Sequence, residues 1–257
     1  MKKFLIAVFV LSAGIGAAAL SYENDSCSQP GRFAPLCRTM KHLKSHILLL
    51  DSQRDLNQAN FGFLAVTLES FRQSIVSLSA VGSWSIHLEK LEAAKVLTEK
   101  ALVEARNLDP QVFKTANQIK TSCQQCHNSS SPAGLKWDDI FKTSWSVGSS
   151  RCDEPGRNPF VCRQMHALVS IFESFESGAN AGRLDFNFAA ANAREARRIV
   201  HLLQSFRKPI HEGGNALLKD IELKAIELED LAMRQSPLVF EKAPAVSWSC
   251  IQCHSVR

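Results

Sequence analysis

Beyond its first twenty residues the 257-residue sequence has no long apolar run. A membrane-spanning helix needs about 20 consecutive apolar residues, so the body of the chain carries no candidate span. It also lacks a charge bias. The formal net charge is +5, and Lys2 and Lys3 supply two of those charges, leaving +3 without them. So small an excess gives no electrostatic case for nucleic acid. Strand patterning is missing, because Val, Ile and Thr are scattered and long segments follow the 3.6-residue period instead. There is no nucleophile elbow, phosphate loop or paired-carboxylate motif, so no specific enzyme is indicated. Hydrophobic residues make up 45%, enough to build a packed core.

The one apolar run is at the N-terminus. Lys2 and Lys3 precede Phe4–Leu11, and Ala17-Ala18-Ala19 follows. A positive region, a short apolar stretch and a small-residue site make an export signal over 1–19, cleaved after Ala19. The run is too short for a membrane anchor, and Gly14 and Gly16 weaken it further. No cysteine follows closely enough for lipid attachment. The expected location is a bacterial periplasm, with no membrane span in the mature chain.

The eight cysteines fall into two matching sets of four. Each set has a wide pair ten residues apart, Cys27/Cys37 and Cys152/Cys162, and a tight pair, Cys123/Cys126 and Cys250/Cys253. Export permits disulfides, so the wide pairs are candidate local bridges Cys27–Cys37 and Cys152–Cys162. The tight pairs differ, since His127 and His254 follow them immediately. Cys-x-x-Cys-His is the attachment motif of a c-type haem. Positions i and i+3 share a helical face, so both sulfurs reach the two vinyl groups of one porphyrin, and the histidine sits under the iron as proximal ligand. A zinc ribbon would place its two Cys-x-x-Cys units about 15–20 residues apart, whereas these are more than a hundred apart. A thioredoxin-like motif would need a strand–helix context that is lacking. The expected cofactors are two haem c groups.

The two sets belong to a repeat. Cys27-Ser-Gln-Pro-Gly-Arg32 matches Cys152-Asp-Glu-Pro-Gly-Arg157, Cys37-Arg-Thr-Met40 matches Cys162-Arg-Gln-Met165, and Phe61-Gly-Phe63 matches Phe186-Asn-Phe188, all at an offset of 125. Ile86-His87 matches Ile210-His211 at 124, and Pro110, Val112 and Phe113 match Pro237, Val239 and Phe240 at 127, as do the tight pairs. This is one duplicated module, not a short-period solenoid. The modules span 20–130 and 151–257, and the Ser-rich stretch 131–150, with Pro132, Gly134, Gly148, Trp137 and Trp145, joins them. Helices are expected near 35–53, 57–80, 84–107 and 110–127, then 160–177, 183–207, 211–234 and 237–254. Asp109 or Ser236 is suited to cap the last helix of its module, and Pro110 or Pro237 to its first turn. The fold class is all-α, two tandem four-helix bundles, each with a covalent haem near the end of its last helix.

On these residues the chain resembles the class II c-type cytochromes, the cytochrome c-prime family: four-helix bundles with Cys-x-x-Cys-His near the end of the last helix. Both Cys123–His127 and Cys250–His254 match that placement. The duplication and the wide cysteine pairs depart from the common form. The resemblance implies a sixth, distal iron ligand from a first-helix methionine in low-spin members, and a five-coordinate iron in others.

An up-down-up-down bundle brings the end of helix four beside the starts of helices one and three, and the distal candidates come from there. Met40 and Met165 repeat, start the first helix of each half, and share faces with Leu43, Ile47 and Leu50 or with Leu168, Phe172 and Phe175. Core filling is the plain alternative for both. His87 and His211, at the start of each third helix, are the rivals. His42, His46 and His166 have no counterparts in the other half and are expected at the surface. Arg38 and Arg163 suit haem propionates, with Arg32 and Arg157 as second choices; a solvated arginine is the plain alternative. Phe61, Phe63, Phe186 and Phe188 belong to the core or a haem pocket. With both faces of the iron filled, the protein transfers electrons between redox partner proteins. With an open distal face it binds gases such as nitric oxide or carbon monoxide, or acts as a haem enzyme.

Overall fold

The computed structural model describes residues 27, 34–54, 56, 59–79, 88–130, 152, 155, 158–205 and 214–255; for 34, 127–130, 180 and 247–255 only the helical backbone is described. These residues form eight α-helices and, among them, no strand: α1 Ala34–Arg54, α2 Phe61–Ser79, α3 Leu88–Arg106, α4 Gln111–Ser130, α5 Pro159–Asn180, α6 Phe186–Gln204, α7 Gly214–Met233 and α8 Leu238–Ser255. None is long and apolar enough to cross a membrane. The sulfurs of Cys27 and Cys37 lie 2.08 Å apart and those of Cys152 and Cys162 2.03 Å apart, so both wide pairs are at disulfide distance.

Local chemistry fixes the helix ends. Asn60 and Asp185 accept hydrogen bonds from the backbone N–H groups of Phe63 and Phe188 at 3.1 and 2.9 Å, capping α2 and α6. Asn158 does the same for Val161 at 3.2 Å, with Pro159 opening α5. Before α4, Asp109 accepts from the Gln111 N–H at 2.9 Å, so the sequence-expected cap forms. The turns α3–α4 and α7–α8 are copies at backbone level. Leu108 and Gln235 both take a left-handed conformation, φ 58° and 55°. Around each, the next N–H reaches back to the helix, Asp109 to Glu104 O and Ser236 to Leu231 O, both at 2.9 Å. This is the Schellman closure, built here without glycine.

Helix contacts follow the repeat. α1 packs on α2 and α4, and α3 on α2 and α4; likewise α5 packs on α6 and α8, and α7 on α6 and α8. Ion pairs tie neighbours on the outside: Lys120–Asp51 between α4 and α1, Glu229 with Arg194 and Arg197 between α7 and α6, and Lys242–Glu227 between α8 and α7. Phe61 on α2 faces Phe113 on α4 with ring centroids 6.2 Å apart, and Phe186 on α6 faces Phe240 on α8 at 5.9 Å. The same aromatic pair thus closes both halves. Leu43, Ile47, Phe71, Leu102 and Ile119 stand in one core; Leu168, Phe172, Ile199, Leu218 and Val239 stand in another, which also takes in Leu49, Leu56 and Phe63 from the first half.

The halves join through α1 against α5 and α2 against α6, so each of these helices meets its own sequence equivalent. α1 is therefore buried all round from His42 to Ile47, the signature of a helix with partners on every side. Gly178 allows the close crossing, because a Cβ there would lie 3.3 Å from the His42 ring. At the other end of α1, Glu195 of α6 is 1% exposed. It accepts from Gln53 Nε2 and Asn60 Nδ2, each at 2.7 Å, and is held by Arg198 through two bonds of 2.9 and 2.6 Å. Gln53 Oε1 in turn accepts from the Asn60 N–H at 3.1 Å. The start of α2 is thus locked to the other half of the chain.

Two outcomes follow for stability. Glu195→Ala leaves the Gln53 and Asn60 amides without their acceptor, and each orphaned buried group costs about 1–3 kcal/mol; urea denaturation should show the loss, with Glu195→Gln losing less. Leu108, 66% exposed, has little packing to lose, so Leu108→Gly should raise stability by about 0.5–1 kcal/mol by relieving the left-handed backbone. Leu108→Ala, which keeps the strain, should not.

Candidate functional site

The site is built at the end of α4, with its counterpart at the end of α8. Cys123 and Cys126 sit one helical turn apart on α4, a spacing that puts both sulfurs on one side of the helix. Both are free thiols and half-buried. Cys123 packs against the first core, beside Ala116 and Phe113 of the same helix. Burial pushes its thiol up to about 12, with the neighbouring Cys126 adding to the rise. Burial raises Cys126 too, but the Lys90 ammonium at the start of α3 works against it. Both thiols are therefore protonated at neutral pH, and the end of α4 lies within electrostatic reach of the beginning of α3. That is the neighbourhood the bundle topology predicts.

The other parts fall unevenly. His127 lies within the helical span of α4, and Cys250, Cys253 and His254 within that of α8, with side chains outside the described residues. His87, His211, Arg32, Arg157, the signal 1–19 and the linker 131–150 lie outside the described residues altogether. Met40 is half-buried against the first core, and Met165 is 8% exposed within the second. Both stand on the inward side of α1 or α5, three residues beyond the cysteine that pins each helix start. Arg38 and Arg163 are half-buried on the same opening turns.

All four phenylalanine expectations hold: Phe63 and Phe188 are core residues, Phe61 packs on Phe113, and Phe186 packs on Phe240. The histidine expectation needs correction. His166 is half-buried, but His42 and His46 are fully enclosed, not at the surface. They turn away from the methionine face, but α5 and α6 cover that side. His46 stacks on Phe188 with centroids 4.7 Å apart and 12° between planes. Its Nδ1 donates to the His42 carbonyl at 2.7 Å, leaving Nε2 buried without a hydrogen-bond partner among the described residues. His42 Nδ1 meets Ser177 Oγ of α5 at 3.2 Å. Burial lowers His42 to about 2, with His46 adding to the fall, and burial lowers His46 to about 4. The signal available in the sequence was the i, i+4 spacing of the pair together with Ser45, which sets three small or neutral polar residues on one side of α1.

No family model matches the chain, nor does any curated protein or solved structure. The functional reading rests on the residues themselves.

The buried His46 gives a pH dependence with a definite sign. In the unfolded chain it protonates near 6.5; in the fold only near 4. Between those values the unfolded state holds more protons, so stability falls as pH drops through the window. The loss amounts to roughly 3 kcal/mol at full extent, and levels off below the folded value. Denaturation series at pH 7, 5.5 and 4 should show a shallower decline in His46→Phe than in the parent chain.

Proposed function

We propose that the protein is an exported dihaem c-type cytochrome that transfers electrons between redox partner proteins, built as two tandem four-helix modules over 20–130 and 151–257. The observation that carries the proposal is the pair of Cys-x-x-Cys-His motifs, each ending the last helix of its half. In the described half the residues suit the group. Cys123 and Cys126 are unoxidised, protonated and on one helical side, which is what addition of thiols to two vinyl groups requires. The contact rings α1–α4 and α5–α8, the repeated Phe61–Phe113 and Phe186–Phe240 pairs, and the twin turns at Leu108 and Gln235 support reading the chain as one module used twice.

In each module the two cysteines hold the porphyrin and His127 or His254 takes the proximal position. Met40 and Met165 are the distal residues this chain offers from inside the core, ahead of His87 and His211. Arg38 and Arg163, on the same opening turns, are suited to pair with propionates. A haem with two protein ligands exchanges single electrons with little rearrangement. The chain's part is to orient the ring, keep water from the iron and hold the methionine sulfurs in place; the local disulfides Cys27–Cys37 and Cys152–Cys162 anchor the helix starts that present them. An oxidising compartment suits those bridges.

The count of haems tests this. A pyridine haemochrome assay should give two per chain, one in Cys123→Ala/Cys126→Ala and one in Cys250→Ala/Cys253→Ala; a haem-free parent chain ends the proposal. Met40→Ala and Met165→Ala should each convert one low-spin haem to high spin. Ferric haem that is high-spin in the parent chain, with tight carbon monoxide or nitric oxide binding, transfers the reading to gas binding or haem catalysis instead.

A further inference from the structure

The two local disulfides are not equivalent. In the second half, Cys152, Cys162 and His166 bring their ligand atoms within 4.8 Å of one another. Cys162 and His166 are one turn apart on α5, so sulfur and imidazole rise from one helical face, and the turn before α5 folds Cys152 onto them. In the first half the position matching His166 is Lys41. An ammonium has three donors and no lone pair to give a metal, so among the described residues the first pair has no such third ligand.

We propose that Cys152, Cys162 and His166 form a binding site for a thiophilic divalent cation of the zinc type when the Cys152–Cys162 disulfide is opened. The redox step is ordinary thiol exchange. A dithiol reductant supplies two electrons and two protons, the S–S bond breaks to give two thiols, and the reductant closes to its own disulfide. The cation then displaces the two thiol protons and takes two thiolates and a neutral imidazole, with water as fourth ligand. Two thiolates cancel the charge of one divalent ion. That neutrality matters because Cys152 is fully buried, where a net charge would be costly.

The geometry requires little movement. Tetrahedral zinc holds its sulfurs about 3.8 Å apart. Once the bond is open, side-chain rotation brings the sulfurs to that spacing, with the Cα atoms 5.4 Å apart. His166 is half-buried, with its ring nitrogen already within 4.8 Å of both sulfurs. The metal would close the same ten-residue turn that the disulfide closes, so the start of α5 stays pinned in both redox states. Among the described residues, the start of α1 has no histidine placed to do the same.

The site does not depend on the haem reading. The test compares full-length proteins reduced with a phosphine and dialysed against zinc, with bound metal quantified. The parent chain should hold one zinc equivalent more than Cys152→Ser/Cys162→Ser, whereas Cys27→Ser/Cys37→Ser should match the parent. His166→Ala, which keeps both cysteines, should weaken that equivalent by about tenfold or more. This comparison also decides the matter if the double serine variant fails to fold. Unattached Cys123/Cys126 and Cys250/Cys253 thiols would add equally to every variant, so a failed haem reading leaves the difference intact. Equal zinc in the parent and the Cys152/Cys162 variant overturns the site, as does unchanged affinity in His166→Ala or an equal loss in the Cys27/Cys37 variant.

Discussion

The contact on which the rest of the molecule depends is the crossing of α1 with α5. Gly178 eases it, because a Cβ there would lie a tight 3.3 Å from the His42 ring. Once the helices are that close, α1 has no face left for water from His42 to Ile47, and polar groups on that stretch need partners inside the protein. That condition explains the buried polar residues. Ser45 donates to the His42 carbonyl and meets Ser177 across the crossing, at 2.7 and 2.9 Å. Farther along, the Gln53–Glu195–Asn60 network serves the same need where the crossing helices diverge. Lys44 and Glu173 sit on the two helices as opposite charges, each disfavoured by burial and favoured by the other.

On the proposed function, this crossing also governs the chemistry at one remove. α1 and α5 are the helices that carry Met40 and Met165, and their starts are tied down by Cys37 and Cys162. The helices that carry the motif cysteines, α4 and α8, pack on α1 and α5 respectively. Each methionine therefore stands on a helix that packs against both the other half and its own attachment helix. A sulfur held that way has few alternative positions.

Much of this was legible in the sequence because the repeat made it so. Helix positions, the Asp109 cap and the Pro110 and Pro237 turns could be read twice, and each reading checked the other. Disulfide pairing followed from equal spacings. What could not be read was how the halves meet. His42 and His46 lack equivalents, and within a single bundle they point away from the apolar face, which makes them surface residues. Only the neighbouring half turns that face inward, and no local pattern encodes a neighbour 130 residues away. Gly178 was silent for the same reason: in its own helix it is merely a weak helix former. The left-handed Leu108 and Gln235 were hidden because glycine is the usual mark of such a turn.

Because α1 meets α5 and α2 meets α6, the surface joining the halves is nearly self-complementary, the kind that two identical chains use when they pair about a two-fold axis. Tethering both copies in one polypeptide changes what selection can do with such a surface. Association no longer weakens on dilution, since the partner is always present at the effective concentration the connection sets. Identical chains must also place the same residue on both sides of the axis. A tandem chain is released from that rule, and here the release is visible: His46 corresponds to Ile171, His42 to Ala167, and Gln53 to Gly178. The His42 ring on α1 and the glycine on α5 that leaves room for it occupy stretches that align at an offset of 125, yet the match puts Ala167 and Gln53 in their places.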